Sequence, residues 1–515
     1  MNAIELSVFA NRMAAICDEM GAVLKCAAFS PNIKDRLDFS CALFDAEGAL
    51  LAQAAHIPVH LGSMAYAMAD IVGARHWQPG DMLVVNDPYL GGTHLPDVTV
   101  IAPVFSAEQL AGFAVNRAHH ANIGATSPGS MPISSSLEQE GIIIAPTLMV
   151  RDGVLIDEVM AQLCGEQQDS ASIQSRGDFA AQISACGVGV SRLEAELASR
   201  NLAAFKVAVA ELNDYAETLA RSALKGIPDG CYRFTDYMDD DGLGNAHLPI
   251  SVSLLAEQGQ ISVDFTGTAQ QTQGNINCPL SVAAASVFYV LRCLMPAQTP
   301  AAAGSFRPIT LTAPTGSLVN AERPAAVAAG NVETSMRMVD ALLGALAQAL
   351  PERIPAASSG SMNNVAMGAP ARGSQARWDY YETNGGGMGA GPQGSGLSGV
   401  QTHMTNTLNT PIESLEKHFP LRITRYGLRA GSGGRGRFAG GDGLIREYQF
   451  LASTTVTLLT ERRKSCPWGL AGGEPGAAGV NLLNGEPLPA KVALEVKAGD
   501  TLSLASAGGG GWGTP

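Results

Sequence analysis

The chain has 515 residues, with 33 Lys and Arg against 47 Asp and Glu, for a formal net charge of −14 at pH 7. No basic run stands out, so the phosphate-neutralising charge that dominates nucleic-acid affinity is missing and a nucleic-acid reader is excluded. Only 16% of residues are charged while 46% are hydrophobic, against about 25% charged in ordinary soluble domains, so much surface must be hidden in a large core or against a partner.

The first segment carries Leu6, Phe9, Met13, Ile16, Met20, Val23 and Leu24 at three- and four-residue steps, which predicts an amphipathic helix. Glu5 and Arg12 interrupt its apolar character, which argues against a secretory signal. Phe39–Phe44 and Leu50–Ala54, separated by D-A-E-G, predict a hairpin. Further strands are expected at Met82–Val85, Val98–Phe105, Gly112–Ala118 and Gly141–Val150. A long helical pattern runs from Arg192 to Lys225 and is stopped by Gly226 and Pro228.

Alternation between Tyr232 and Phe265 predicts paired strands. Helices are expected at Ala283–Met295 and at Val332–Leu350, the second with Asn331 as N-cap and Pro351 as its end. The uncharged stretch Leu280–Leu291 is too short to cross a bilayer, which takes about 20 apolar residues. Beyond Pro351 the chain is Gly-rich and β-like. At about 150 residues per domain the length suggests roughly three units, with a possible boundary near residue 226. No internal repeat appears. The predicted class is α+β, a mixed fold without regular βαβ alternation. Nine cysteines without a CxxC pair read as reduced thiols, so a cytoplasmic location is expected.

Six of the nine histidines, His56, His60, His76, His94, His119 and His120, fall within 65 residues, interleaved with Asp35, Asp38, Asp87 and Asp97. The sharpest segment is N-D-P-Y-L-G-G-T-H-L-P-D, with His94 and Asp97 three apart and His119 following 25 residues after His94. Imidazole and carboxylate together suit a divalent Mn, Fe or Zn ion and leave coordination positions open for water or substrate. Spacing alone leaves a metal site and ordinary satisfied histidines equally open, with His76 a bystander on a polar loop.

Gly431-Ser-Gly433-Gly434-Arg-Gly436 satisfies GxGxxG but is followed by more glycine and an alternating stretch, so β turns are the better reading than a dinucleotide site. No Walker A loop is present. Asn331-Val-Glu333-Thr334, Met362-Asn-Asn364, Tyr380-Tyr381-Glu382-Thr383 and the T-H-M-T-N-T stretch with His403 and Asn406 place polar groups in low-charge surroundings. Glu333 and Glu382 are general acid/base candidates if they line one cleft. Asp239-Asp240-Asp241 reads as a solvated turn.

Several of these stretches, taken together, resemble the hydantoinase B/oxoprolinase family. They are D-R-L-D-F-S-C-A-L-F from Asp35, H-I-P-V-H-L-G-S-M from His56, G-G-T-H-L-P-D from Gly91, H-H-A-N-I-G from His119 and S-P-G-S-M-P from Ser127. G-N-V-E-T-S from Gly330, Y-Y-E-T, T-H-M-T-N-T, the glycine run from Arg429 to Gly443, T-E-R-R, G-L-A-G-G-E-P-G and the terminal G-G-G-G-W-G follow in the family order. The resemblance spans essentially the whole chain. One departure is the terminal G-W-G-T-P, where the family often has an acidic residue before Pro.

The resemblance implies a B-type subunit of an ATP-dependent hydantoinase or lactamase, similar to the C-terminal half of 5-oxoprolinase. It implies that ATP is bound by a separate A-type ATPase subunit, in a dimer of such pairs, and that a small cyclic amide is the substrate. By the family pattern His94, Asp97 and His119 match metal ligands and Asp38 matches a further acidic ligand or neighbour. His120 is a catalytic candidate beside them, with His56 and His60 nearby, and Glu382 or Asp38 would take a proton from the attacking water. A subunit of an acetone-type carboxylase, or a non-catalytic scaffold for the ATPase subunit, are the alternatives. On this reading residues 1–515 form one unit, with a metal-bearing α/β region at 1–190, a long helix at 191–226 and a mixed region at 227–515 ending in Gly-rich β structure.

Overall fold

A computed structural model describes residues 1–54, 56–125, 127–165, 170–371 and 377–515. Helix α1 (Ala3–Ala27) starts with a reciprocal cap: the Asn2 side chain accepts from the Glu5 N–H, and the Glu5 carboxylate accepts from the Asn2 N–H. Its buried stripe is Phe9, Met13, Ile16, Cys17, Met20 and Leu24, while Leu6 and Val23 of the predicted face are only half-buried. After the short α2 (Pro31–Lys34), the hairpin β1 (Phe39–Asp45) and β2 (Leu50–Gln53) leads to α3 (Pro58–Val72).

Strands β3 (Met82–Val85), β4 (Asp97–Ser106), β5 (Gln109–His119), β6 (Thr147–Arg151) and β7 (Val154–Leu155) complete a seven-stranded antiparallel sheet ordered β2-β1-β5-β4-β3-β6-β7. The expected strand at 141–150 is shorter than predicted. Its first half is held as a loop by the Ile142 N–H on Ile123 O and the Ile144 N–H on the Asn86 side chain.

Helix α4 (Asp157–Cys164) precedes two long helices, α5 (Ser170–Arg200) and α6 (Leu202–Leu224). The single helix expected over 191–226 is therefore corrected to two. Asn201 takes φ 61° and turns the chain, and its side chain caps α6 by accepting from the Ala204 N–H. The apolar stripe continues through the break, which hides it from periodicity. Helix α5 lies across β4 and β5, and α1 packs beside it over β1 and β2.

The second sheet is β8 (Gly230–Asp240), β9 (Ala246–Glu257), β10 (Gln260–Asp264) and β11 (Ile309–Thr312), ordered β11-β10-β9-β8. Helices α7 (Leu280–Cys293) and α8 (Ser335–Ala349) pack together, α7 on α3 and α8 on β8, around the largest apolar cluster. Asn331 is not the N-cap of α8. It lies within a π turn, Gly330–Thr334, that leads into the helix. Gly330 is required there, because a Cβ would sit 1.8 Å from Asn277 O. The acidic triplet is not a solvated turn either. Asp239 and Asp241 are buried, and Asp239 accepts from the backbone N–H groups of Arg463, Lys464 and Ser465.

The C-terminal part forms two sheets around a short helix, α9 (Ile412–His418). One is β13-β12-β16-β19, from β12 (Asn364–Ala369), β13 (Trp378–Glu382), β16 (Thr454–Leu459) and β19 (Lys491–Val496). The other is β14-β15-β20-β17-β18, from β14 (Leu421–Arg429), β15 (Gly443–Phe450), β17 (Val480–Leu483), β18 (Glu486–Pro487) and β20 (Thr501–Ala505). The glycine runs are more than turns between these strands. Gly510 donates to Ala357 O, Gly509 to Gly441 O, Gly441 to Met388 O and Gly434 to Gly509 O, so bare backbones pack against one another. A Cβ on Gly389, Gly441 or Gly510 would fall about 2 Å from a neighbouring carbonyl oxygen. No helix among the described residues is long and apolar enough to cross a membrane.

Candidate metal centre

The G-G-T-H-L-P-D segment runs from the end of β3 into β4. Gly91, at φ 83°, passes under α3 so closely that a Cβ would meet Ala67 at 2.2 Å. The Asn86 side chain then clamps the segment, donating to Leu95 O and Ile142 O while accepting from the Ile144 N–H. This delivers Asp97 to the first position of β4, where antiparallel register places it directly opposite His119, the last residue of β5. Opposed residues on adjacent strands hold their Cβ atoms about 5 Å apart, so the carboxylate and the imidazole meet by backbone geometry. Asp38 enters beside them, because the His119 N–H donates to Asp38 O at the start of β1.

The two oxygens of Asp97 have different partners. Oδ2 accepts from the Thr93 hydroxyl, from Asn331 Nδ2 at 3.3 Å and from His60 Nε2 at 3.3 Å. The His60 tautomer follows from this contact: the carboxylate can only accept, so Nε2 carries the proton and Nδ1 of the neutral ring accepts from the Ser40 hydroxyl, which also accepts from the Ile57 N–H. Oδ1 faces His94 Nε2 and His119 Nδ1, each 3.3 Å away.

His94 makes this arrangement informative. Its Nδ1–H donates to Ala328 O at 3.2 Å, which leaves a lone pair on Nε2 of the neutral ring. That lone pair points at a carboxylate oxygen, and the contact is favourable only with a positive charge between or upon the two groups. The titration tendencies express the same demand. Burial would lower the His94 pKa, yet Asp97 and Asp38 raise it; burial would raise that of Asp97, yet His94 and His60 hold it well below the usual range. His119 is pushed down by burial. The Nε2 atoms of His94 and His119 are buried with no hydrogen-bond partner. His94, Asp97 and His119 each offer one ligand atom to a donor set whose atoms lie within 4.8 Å of one another. Two imidazoles and a carboxylate suit a divalent transition ion, so the residues fit the metal expected from the sequence.

The adjoining pocket is small, about 20 Å³. Ile57, Val59, Val332, Met362 and Met404 form its apolar wall, and Asp38, Tyr381, Thr383, Thr405 and Thr407 its polar one. Arg36, fully buried and bonded to Tyr381 O and the Thr383 hydroxyl, brings its guanidinium to 3.7 Å from Asp38 Oδ2.

The structure brings together His94, Asp97 and His119, with Asp38 and His60 at the pocket wall. It does not bring His120, Glu382, His56 or His76 to it. His120 points to the opposite face of β5, as strand alternation requires, and Nε2 bonds Gln182. Glu382 is enclosed on the other side of β13 from Tyr381, where it meets Arg446 at 2.7 Å, the Tyr380 and Tyr448 hydroxyls and the Thr410 N–H. Neither lines the pocket, so the structure does not bring Glu382 or His120 to where their expected proton-transfer and catalytic roles would place them. His56 accepts from the Cys41 N–H away from the cluster, and His76 is exposed. Glu333 also stands behind the wall, accepting from Asn364 Nδ2 and the Met362 N–H. Sequence reasoning missed the parts of Asn331, Tyr381 and the pocket threonines, although each lies in a stretch it singled out.

A family model described as hydantoinase B/oxoprolinase matches residues 2–515. A 5-oxoprolinase of Arabidopsis thaliana is 38% identical over 99% of this chain, which spans 42% of that protein. A protein of Pseudomonas sp. provisionally named as the B-type subunit of a D-/L-hydantoinase is 32% identical over 99% of this chain and 90% of its own. Among solved structures, the ATP-dependent caprolactamase of Pseudomonas jessenii superposes with a TM-score of 0.92 at 27% identity, covering 100% of this chain and 92% of that one. An acetone carboxylase chain superposes with a TM-score of 0.88 at 18% identity, covering 99% of this chain and 76% of that one, a likeness of fold.

Proposed function

The chain belongs to the hydantoinase B/oxoprolinase family, and we propose that it is the ring-opening subunit of an ATP-dependent cyclic amide hydrolase. One observation carries this reading: the His94 lone pair and Asp97 Oδ1 face each other at 3.3 Å beside His119, in a pocket that has room for little more than water. The names of its relatives, 5-oxoprolinase, hydantoinase and caprolactamase, support a lactam or cyclic imide as the substrate class.

His94, Asp97 and His119 would hold a divalent Mn, Zn or Fe ion, which when bound supplies Lewis acidity and lowers the pKa of water. The remaining steps belong to the chain itself. Ala328 O fixes the His94 tautomer, and Thr93, His60 and Asn331 orient the Asp97 carboxylate through Oδ2. Asp38 presents a carboxylate at the pocket wall and accepts the proton of the attacking water. The apolar side of the pocket excludes competing water.

An unstrained amide is a poor electrophile, so its oxygen must be activated first. The sequence has no Walker A loop, and ATP is assigned to an A-type partner subunit that phosphorylates the amide oxygen. The 5-oxoprolinase relatives, of which this chain spans about two fifths, leave a length of chain sufficient for such a unit in fused form.

The test is to purify the chain with an A-type ATPase subunit and to supply 5-oxoproline, hydantoin or caprolactam with ATP. Ring opening coupled to ATP hydrolysis is expected, and it should be lost with bound metal in His94→Ala and His119→Ala. Variants that keep both metal and full activity would refute the site.

A further inference from the structure

We infer that the cleft on the reverse of β5 binds a small linear amino acid, the ring-opened product, with its ammonium end inward. The inference rests on the lactam reading above for the identity of the ligand, and on the cleft itself for its chemistry. The cleft measures about 620 Å³, within the roughly 300–1,000 Å³ typical of small-molecule pockets. It is separated from the metal cluster by a single strand, since His119 and His120 are consecutive and face opposite sides.

The inner end carries unused acceptors. Gln182 donates from Nε2 to Val98 O and to Asn116 Oδ1, which fixes its amide and makes Oε1 the acceptor for His120 Nε2–H at 2.9 Å. His120 therefore keeps a lone pair on Nδ1, with no partner among the described residues, although the residue is only 1% exposed. Asp178 stands one turn before Gln182 on α5 and also lines the cleft. Its Oδ1 accepts from the Phe29 and Ser30 N–H groups, while Oδ2 has no partner among the described residues. A carboxylate oxygen and an imidazole lone pair on residues that line one cleft suit a donor that brings positive charge, and a primary ammonium provides both.

Basic side chains line the cleft as well, beside Asp35 and Asp379. Arg377 is tied to Asp379, but Lys34 is exposed at the wall with no ion pair among the described residues. Phe29, Trp378 and Phe419 also line it, offering apolar surface to a methylene chain. An ammonium, an aliphatic middle and a carboxylate are what hydrolysis of a lactam creates: the C–N bond breaks, the water oxygen stays on the carbonyl carbon, and the nitrogen leaves protonated.

Calorimetry on the purified full chain, without ATP or partner, tests this with L-glutamate and 6-aminohexanoate as probes and with butylamine and hexanoate as one-ended controls. At least one amino acid should bind with a Kd below ~10 mM, and both controls should bind more weakly. Asp178→Asn keeps the acceptor for Phe29 and Ser30 and should weaken binding by about tenfold. Lys34→Met, a surface change that leaves folding intact, should weaken it as well. The inference is overturned if neither amino acid binds, if butylamine binds equally well, or if both variants bind as the parent does. Ring opening with a silent cleft would refute this site and leave the proposed function standing. Amino-acid binding lost in Asp178→Asn, without ring opening of any lactam, would uphold the cleft as an amino-acid site and refute the lactam reading.

Discussion

The ring of Tyr381 lies flat against that of His119, with centroids 4.6 Å apart and planes 12° from parallel. The tyrosine is itself fixed, because its hydroxyl donates to Asn364 Oδ1 at 2.6 Å and the Arg36 guanidinium sits 4.9 Å from its ring centroid. The stack thus sets the orientation of a candidate ligand that has no hydrogen bond on Nε2. Groups that orient ligands without touching the ion typically change affinity by about 10–100-fold when removed. Tyr381→Ala should weaken metal affinity by about that factor, measured by competition with a chelator, whereas Tyr381→Phe should keep most of it. Parental affinity in the alanine variant would show that the stack is incidental.

Asp97 and Asp38 both line the pocket but have different surroundings. Asp97 receives three donors on one oxygen and faces two imidazoles with the other, while Asp38 is 3.7 Å from Arg36 and lies outside the three-donor group. Asp97→Asn should therefore abolish metal retention through gel filtration. Asp38→Asn should retain the metal and lower turnover by about 100-fold or more, as expected for loss of a general base. Equal metal loss in the two variants would make Asp38 a ligand.

Glu382 illustrates a carboxylate whose motif suggested catalysis and whose surroundings assign it to stability. It is fully buried against Arg446, whose guanidinium lies 4.8 Å from the Tyr426 ring and 5.3 Å from that of Tyr448. The pair is close at 2.7 Å, yet the Arg446 N–H groups have no aligned hydrogen bond, so charge rather than direction holds it. Glu382→Gln strands that cation, which typically costs about 3–5 kcal/mol. A markedly lower melting temperature with unchanged metal content is expected. A stable, metal-loaded but inactive variant would return Glu382 to the catalytic machinery.

How far the sequence reaches is visible in these same residues. His94, Asp97 and His119 were legible because two of them share a short loop and the third ends an apolar strand. Their actual meeting depends on the β4–β5 register, which pairs Asp97 with His119. Asn331 arrives from 234 residues away, and its π turn resembles a helix start in sequence because the same polar residues serve both. The break at Asn201 was invisible, since no Gly or Pro marks it and the apolar stripe runs through. The glycine runs were ambiguous for a physical reason: absence of a side chain serves a turn and a backbone-to-backbone contact equally. His120 and Glu382 were misplaced by strand alternation, which puts neighbours of site residues on the opposite face.

Glu333 carries a pH signature that separates protein stability from the site it supports. Both its hydrogen bonds, from Asn364 Nδ2 at 2.7 Å and the Met362 N–H at 3.1 Å, end on Oε1, and Oε2 is buried without a partner. Burial, reinforced by the nearby Glu461 and only partly offset by Lys491 and Arg463, pushes its carboxyl from an ordinary 4.5 up to about 8. The folded protein therefore holds Glu333 as the neutral acid at neutral pH, whereas the unfolded chain releases that proton above about pH 4.5. Because the folded pKa is the higher one, the stabilising contribution is complete at acidic pH and is lost progressively as pH rises towards 8. Glutamine reproduces the neutral acid in shape and keeps the Oε1 acceptor, so Glu333→Gln should fold normally and lack this loss. Its stability relative to the parent should grow between pH 5 and pH 7.5 by about 3 kcal/mol, at roughly 1.4 kcal/mol per pH unit. Urea unfolding at the two pH values reads the difference directly. A pH-independent gap would mean that Glu333 is already ionised, with a neighbouring cation closer to it than the structure places Lys491 or Arg463.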